Sequence, residues 1–237
     1  MSRYSVIGTT VIALAATLLV VGCTSAPSPK PTGKPDPTPT AAPTITTAPD
    51  PAAETRAAIT SIVVRPEMLQ FLDTAGTERL TLSYDADAEL YVDLFTDLLG
   101  AAPAIEDTPG GNESQPTTTY SWDGFELRDD HENGGFESDM NVSVMFSAPA
   151  LGPRSISVAT IQGFKPGDDL RWLATYMDEP FVEDGGFNQI QAEHGPPIGE
   201  QQPGSPYSNS NSVSGQNLYR QDGTVIFAPW NFGIGHV

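Results

Sequence analysis

The chain has 237 residues, 30 of them acidic and 11 basic, for a formal net charge of −19. Residues 60–237 hold 27 of the acids and seven of the bases, which excludes nucleic acid as a partner, because that binding depends on cations that neutralise phosphates. Its single cysteine, Cys23, excludes an intrachain disulfide, thiol catalysis in the folded part and cysteine-ligated metal.

The first predicted element is a leader. Arg3 and the amino terminus give a short positive region, and residues 6–21 then run almost without polarity, as a secretory signal does. At about 16 residues the run falls short of the roughly 20 that a helix needs to cross a bilayer. It closes on Leu19-Val20-Val21-Gly22-Cys23, with an aliphatic residue three before the cysteine and a small one just before it. This run resembles the lipobox of bacterial lipoproteins. The resemblance implies that 1–22 is a signal peptide, that Cys23 becomes the lipid attachment site carrying a diacylglyceryl group and palmitate, and that the protein is held on the extracytoplasmic face of the cell membrane. An uncleaved apolar anchor would place the bulk of the chain on the same side.

Residues 23–59 are dominated by proline, threonine and alanine. Proline removes backbone donors and fixes φ, and large apolar side chains are few, so a disordered, solvated tether is expected. In polyproline II geometry it would reach roughly 90 Å. Such a spacer is similar to those that lift the lipoproteins of single-membrane, thick-walled bacteria off the bilayer.

Residues 60–237 are long enough for one domain with a real core. The β-branched run 61–65, the pair 68–72 and 79–84 around a turn at 74–77, and the alternating segments 118–128 about Asp123-Gly124 read as strands and hairpins. Between them Asp85 is expected to cap a helix carrying Leu90, Leu94, Phe95, Leu98 and Leu99, with Gly100 as its stop. Residues 108–116 read as a surface loop, and 142–146 and 155–161 as two more strands. Asp168 or Asp169 then caps a shorter helix with Leu170, Leu173, Ala174 and Met177, and a hairpin about Asp222-Gly223 follows. Residues 200–216 lack apolar content and are expected to be mobile. The fold class expected from these elements is α+β: an antiparallel sheet with two helices on one face, built as two imperfect strand–helix–hairpin units, 60–147 and 148–237, around one core.

Catalytic patterns are missing. The histidines His131, His194 and His236 have no metal-like spacing, and no nucleophile elbow, zinc-protease or phosphate-loop pattern occurs. Gly233-Ile234-Gly235 has no helix after it, so no dinucleotide site is expected. Acidic turns at 85–89, 129–135 and 183–186 offer oxygens of the kind calcium takes, but turn formation and capping account for them equally well. Metal binding is left open and no cofactor is expected. Trp122 and Trp172 are expected in the core, whereas Trp230, near Phe232, could join a sugar-stacking surface. The expected function is a non-catalytic binding or interaction domain on a lipid anchor, with the membrane as one partner and an envelope protein or glycan as another. The alternatives are a solute- or glycan-binding lipoprotein and a cell-envelope hydrolase.

Overall fold

A computed structural model describes residues 51–111, 115–131, 140–179, 188–201, 203–204, 207–217 and 223–231. Cys23, the leader and most of the tether lie outside them. The last turns of the expected tether are helical: α1 spans Pro51–Ala58 and buries none of its residues. It is held from outside, by an ion pair from Arg56 to Asp97 at 3.1 Å and by the Arg154 guanidinium donating to the carbonyls of Arg56, Ala57 and Ile59. These bonds occupy carbonyls that a helix C-terminus leaves without partners.

The elements that follow are β1 (Ser61–Val64), β2 (Met68–Leu72), β3 (Glu78–Ser83), α2 (Ala88–Leu99), β4 (Ala104–Thr108), β5 (Thr117–Trp122), β6 (Phe125–Asp129) and β7 (Val142–Phe146). The second half adds β8 (Ala150–Leu151), β9 (Ile156–Thr160), α3 (Leu170–Met177), β10 (Asn188–Pro197), β11 (Ser210–Asn217) and β12 (Thr224–Asn231). They form two sheets, one in the order β3-β2-β1-β9-β8 and one in the order β10-β11-β12-β7-β6-β5-β4.

This corrects the expected fold class. The protein is mostly β, with two sheets in place of one, and β1 runs parallel to β9. α2 also meets both sheets. Phe95 of α2 meets Phe71 of β2 edge-on at 6.0 Å and stacks on Phe125 of β6 at 4.0 Å, so α2 bridges the two sheets. The two halves 60–147 and 148–237 share both sheets: β9 joins the sheet of β1 to β3, and β12 pairs with β7. Strand pairing over such sequence separations leaves no local periodic signal.

Several elements sit where hydrophobic spacing places them. In α2 the buried face is Tyr91, Leu94, Phe95, Leu98 and Leu99, whereas Leu90 stays 52% exposed. The helix stops at Gly100, whose backbone is left-handed and whose N–H donates to the Thr96 carbonyl. Its start differs from expectation. Asp87 takes the N-cap position without a side-chain bond, and Asp85 lies in the preceding turn, where its carbonyl accepts from Asn141. Asp169 does cap α3, accepting from the N–H of Arg171. The β5–β6 hairpin turns on Asp123-Gly124, and Gly124, at φ +78°, could not carry a side chain, because a Cβ there would lie 2.4 Å from that of Ala148.

Four strands escaped the sequence reading, β4, β8, β10 and β11. β4 is an edge strand exposed along its whole length, and Glu106 and Asp107 charge that edge, which deters pairing with other chains. β11 overturns the expectation of mobility for 200–216: seven of its eight residues are buried, paired by β10 on one side and β12 on the other.

Asp73 closes the β2–β3 turn. Its carboxylate accepts from the N–H groups of Ala75 and Thr77 and from Arg79. The Thr77 bond is the largest influence; with Arg79 and Ala75 it outweighs the opposing effect of burial and holds this carboxyl below its usual 3.8. A depressed folded-state value means stabilisation that is complete above the unfolded carboxylate range and lost as pH falls through the folded value. We expect Asp73→Asn to lower Tm most at about pH 7 and progressively less below about pH 4. Thermal melts of both proteins across that range check this; a constant difference would contradict it.

Candidate binding site

The sequence-selected residues fall into three places. Cys23, residues 183–186, Phe232 and His236 lie outside the described residues. His131 lies at an open acidic cleft, and Trp172 and Trp230 belong to two aromatic surfaces.

The cleft, about 490 Å³, is lined by Asp87 and Glu89 at the start of α2, Tyr120 of β5, Asp129, His131 and Asn141. His131 takes a left-handed backbone (φ 57°) after β6, and its N–H donates to Asp129 Oδ1. That turn sets its Nδ1 3.3 Å from Asp129 Oδ2 and its Nε2 3.1 Å from the Thr118 hydroxyl. The hydroxyl in turn donates to Asp107 Oδ1 at 2.7 Å. An Asp–His–Thr row invites comparison with a nucleophile and its base, but the proton runs the wrong way. Thr118 donates its one hydroxyl proton to the Asp107 carboxylate, so it does not hand that proton to the imidazole. Tyr120 sits beside these acids; burial, then the charges of Asp129, Asp107 and Glu89, push its phenol up, so it stays a hydrogen-bond donor. Among the described residues no three acids or histidines gather to hold a metal ion. The cleft offers carboxylates, a phenol and an imidazole to a polar or cationic group of a partner.

On α3 the structure corrects Trp172, expected in the core. It is 45% exposed, and its ring lies 6.1 Å from buried Phe164 and 5.7 Å from Tyr176, itself 61% exposed. The two exposed rings are one helical turn apart, the spacing that brings neighbours together on a helix surface. Trp122 is packed as expected, half-buried against Phe125 at 5.3 Å, with its indole N–H donating to the Ala101 carbonyl.

The third place is the sheet formed by β10, β11 and β12. Residues directly opposite each other on paired strands share a face. One row is Ile190, Gly215 and Ile226, and this row faces inward: a Cβ on Gly215 would lie 2.9 to 3.1 Å from Leu173, Leu170 and Phe164. The flanking rows, Gln189–Gln216–Val225 and Gln191–Ser214–Phe227, lie on the sheet's other face. That face is covered as well, with Ser214 at 0%, Val225 at 1% and Gln216 at 2% exposure. Gln191 is fully bonded, its amide donating to Ser212 Oγ and to the Ser208 carbonyl, and its carbonyl accepting from the Ser208 N–H. Its neighbours are not: Gln189 Oε1, Ser214 Oγ and Gln216 Nε2 are buried atoms without a hydrogen-bond partner. Each such atom costs about 1–3 kcal/mol. Beside them Phe227 and Trp230 meet edge-to-face at 5.2 Å, both half-buried.

Only the aromatic half of this surface was legible in the sequence, through Trp230. The polar half was missed because alternating serine and glutamine in β11 reads as an unstructured tract; the informative sign was that the polar side chains alternate with Val213 and Gly215. The chain matches no protein-family model, no curated protein and no solved structure. None of these comparisons points to an enzyme family.

Proposed function

We propose that the protein is a lipoprotein, anchored through Cys23 to the extracytoplasmic face of the cell membrane, that presents residues 60–237 as a non-catalytic binding domain. The observation that carries the anchor is the lone cysteine closing an apolar leader and preceding a proline-rich spacer. Two or three acyl chains on one residue hold firmly where a single chain binds reversibly, since each buried methylene contributes about 0.8 kcal/mol. Binding rather than hydrolysis is supported by the Thr118 hydroxyl, which is committed to Asp107 instead of being activated by His131.

Radiolabelled palmitate tests the anchor. The wild-type protein is expected to carry label and to sediment with membranes, and Cys23→Ala is expected to lose both. Label retained by the variant, or a mature terminus other than Cys23 by mass spectrometry, would refute the proposal.

A further inference from the structure

We propose that the free edge of β4 adds a strand from a basic partner protein, an extended segment that sets two cationic side chains against Glu106 and Asp107 and an apolar one against Ile105. This rests on the reading of the domain as a binding module and names the kind of partner it takes.

Of the four sheet edges, β4 is the one left bare among the described residues. β8 is only two residues long. At β10 the Gln191 N–H goes to Glu179 and the Ala192 carbonyl to Gln162, and at β3 the Leu82 carbonyl accepts from the Tyr91 hydroxyl. The backbone of β4 has no such bond from outside its sheet, and all five of its residues are exposed. A row of unpaired N–H and C=O groups is a template for another strand. This template is held in place: the Trp122 indole bonds the Ala101 carbonyl ahead of β4, and the Thr118 hydroxyl bonds Asp107 near its end. Little ordering is then needed when a strand arrives.

The side chains select the partner. Ile105 stands opposite Tyr120, and Tyr120 opposite buried Leu127, so Ile105 and, two residues on, Asp107 lie at the margin of the sheet's inner face. Ile105 is 62% exposed there. Asp107 uses Oδ1 for Thr118 and keeps Oδ2 for a cation. Burial, and then the charges of Asp129, Asp107 and Glu89, raise the Tyr120 phenol, so the acids of the cleft converge beside this edge. A lysine or arginine laid against Asp107 extends toward them, and Glu106 offers a second carboxylate on the other face. A second copy of this chain does not fit, because its own β4 would set like charges directly opposite each other, and residues 60–237 hold 27 acids against seven bases. The charges that deter indiscriminate pairing thus favour a strand that carries cations.

The test titrates the full-length protein in detergent micelles with the peptide acetyl-Val-Thr-Lys-Lys-Val-Thr-Val-amide, written antiparallel to β4 so that its lysines face Asp107 and Glu106. Calorimetry is expected to show binding, and hydrogen exchange is expected to slow at the amides of 104–108. A second peptide of equal charge, with prolines in place of both Val-Thr pairs, lacks the donors that a ladder needs and is expected to bind at least about tenfold more weakly. Glu106→Lys with Asp107→Lys is expected to weaken the first peptide at least about tenfold. Glu78→Lys with Asp93→Lys makes the same change of net charge elsewhere and is expected to weaken it less than about threefold. The proposal is overturned by an absence of heat at about 1 mM peptide, by equal binding of the proline peptide, by slowed exchange elsewhere than in β4, or by equal weakening in the two double variants. The exchange result is read on the wild-type protein and decides the matter even if the β4 variant fails to fold. Failure of the palmitate test with peptide binding intact removes the anchor and leaves this edge; peptide binding lost with the label intact removes this edge alone.

Discussion

Phe95→Ala is expected to lower the unfolding free energy by about 3–5 kcal/mol, the range for deleting a buried aromatic ring. Phe95 is fully buried and belongs to a continuous row of rings. It stacks on Phe125 at 4.0 Å, and Phe125 stacks on Phe146 at 4.8 Å; on its other side it meets Phe71 edge-on, and Trp122 lies 6.0 Å away. Phe71 belongs to the smaller sheet and the others to the larger, so the cavity would open where the two sheets are joined. Backbone relaxation fills such a cavity poorly, because strands on both sides are fixed by their ladders. Leu90→Ala on the same helix is the control: at 52% exposure it should change stability by no more than about 0.5 kcal/mol. Urea titrations with linear extrapolation give both values, and a Phe95→Ala effect below about 1.5 kcal/mol would mean that α2 does not hold the sheets together.

That same helix shows how far the sequence could be read. The recurrence of Leu94, Phe95, Leu98 and Leu99 with a glycine stop is a local signal, and the observed helix obeys it. The Asp123-Gly124 turn is local too, and its hairpin forms. What escaped depends on partners far along the chain. Nothing near Ile62 announces a parallel neighbour at Val158, and nothing near Val144 announces Ala228, so the number of sheets stayed hidden. β11 was illegible for a different reason. Its buried face is polar, which inverts the usual rule that a buried strand is apolar, and only its neighbours on both sides make burial of that backbone affordable. Trp172 failed because helical spacing shows which residues share a face but not whether a second layer covers that face. An aromatic could be suspected at Trp230, but the buried glutamines and serines beside it depend on strand register.

Register also explains an ion pair whose loss carries the second large effect. A shift in pairing between Gln191 and Glu193 inserts Ala192 as an extra residue in β10. Without that bulge Glu193 would share the face of Gln191; with it, Glu193 lies opposite Val213, on the face of Gly215, and reaches the other sheet. There Arg65 donates to both its carboxylate oxygens, the shortest bond being 2.7 Å, and also to Gln70. The hydrogen bond to Glu193, helped by its charge and opposed by burial, raises the guanidinium above its usual value. The charge also reaches fully buried Tyr84, whose phenol is pushed well up by burial first, then by Tyr91 and then by Glu193. Arg65→Met leaves a carboxylate whose side chain is only 17% exposed without its partner. Removing one member of a buried pair costs about 3–5 kcal/mol, and the partial exposure of Arg65 places the expected loss near about 3 kcal/mol. Arg65→Met with Glu193→Met should recover most of it, because two apolar side chains meeting between the sheets leave no charge uncompensated. The double-mutant cycle measured by urea denaturation is therefore expected to give a coupling of about 2 kcal/mol. Additive losses, with the double variant the least stable of the four proteins, would show that the pair does not act across the sheets and that the β10 bulge has some other purpose.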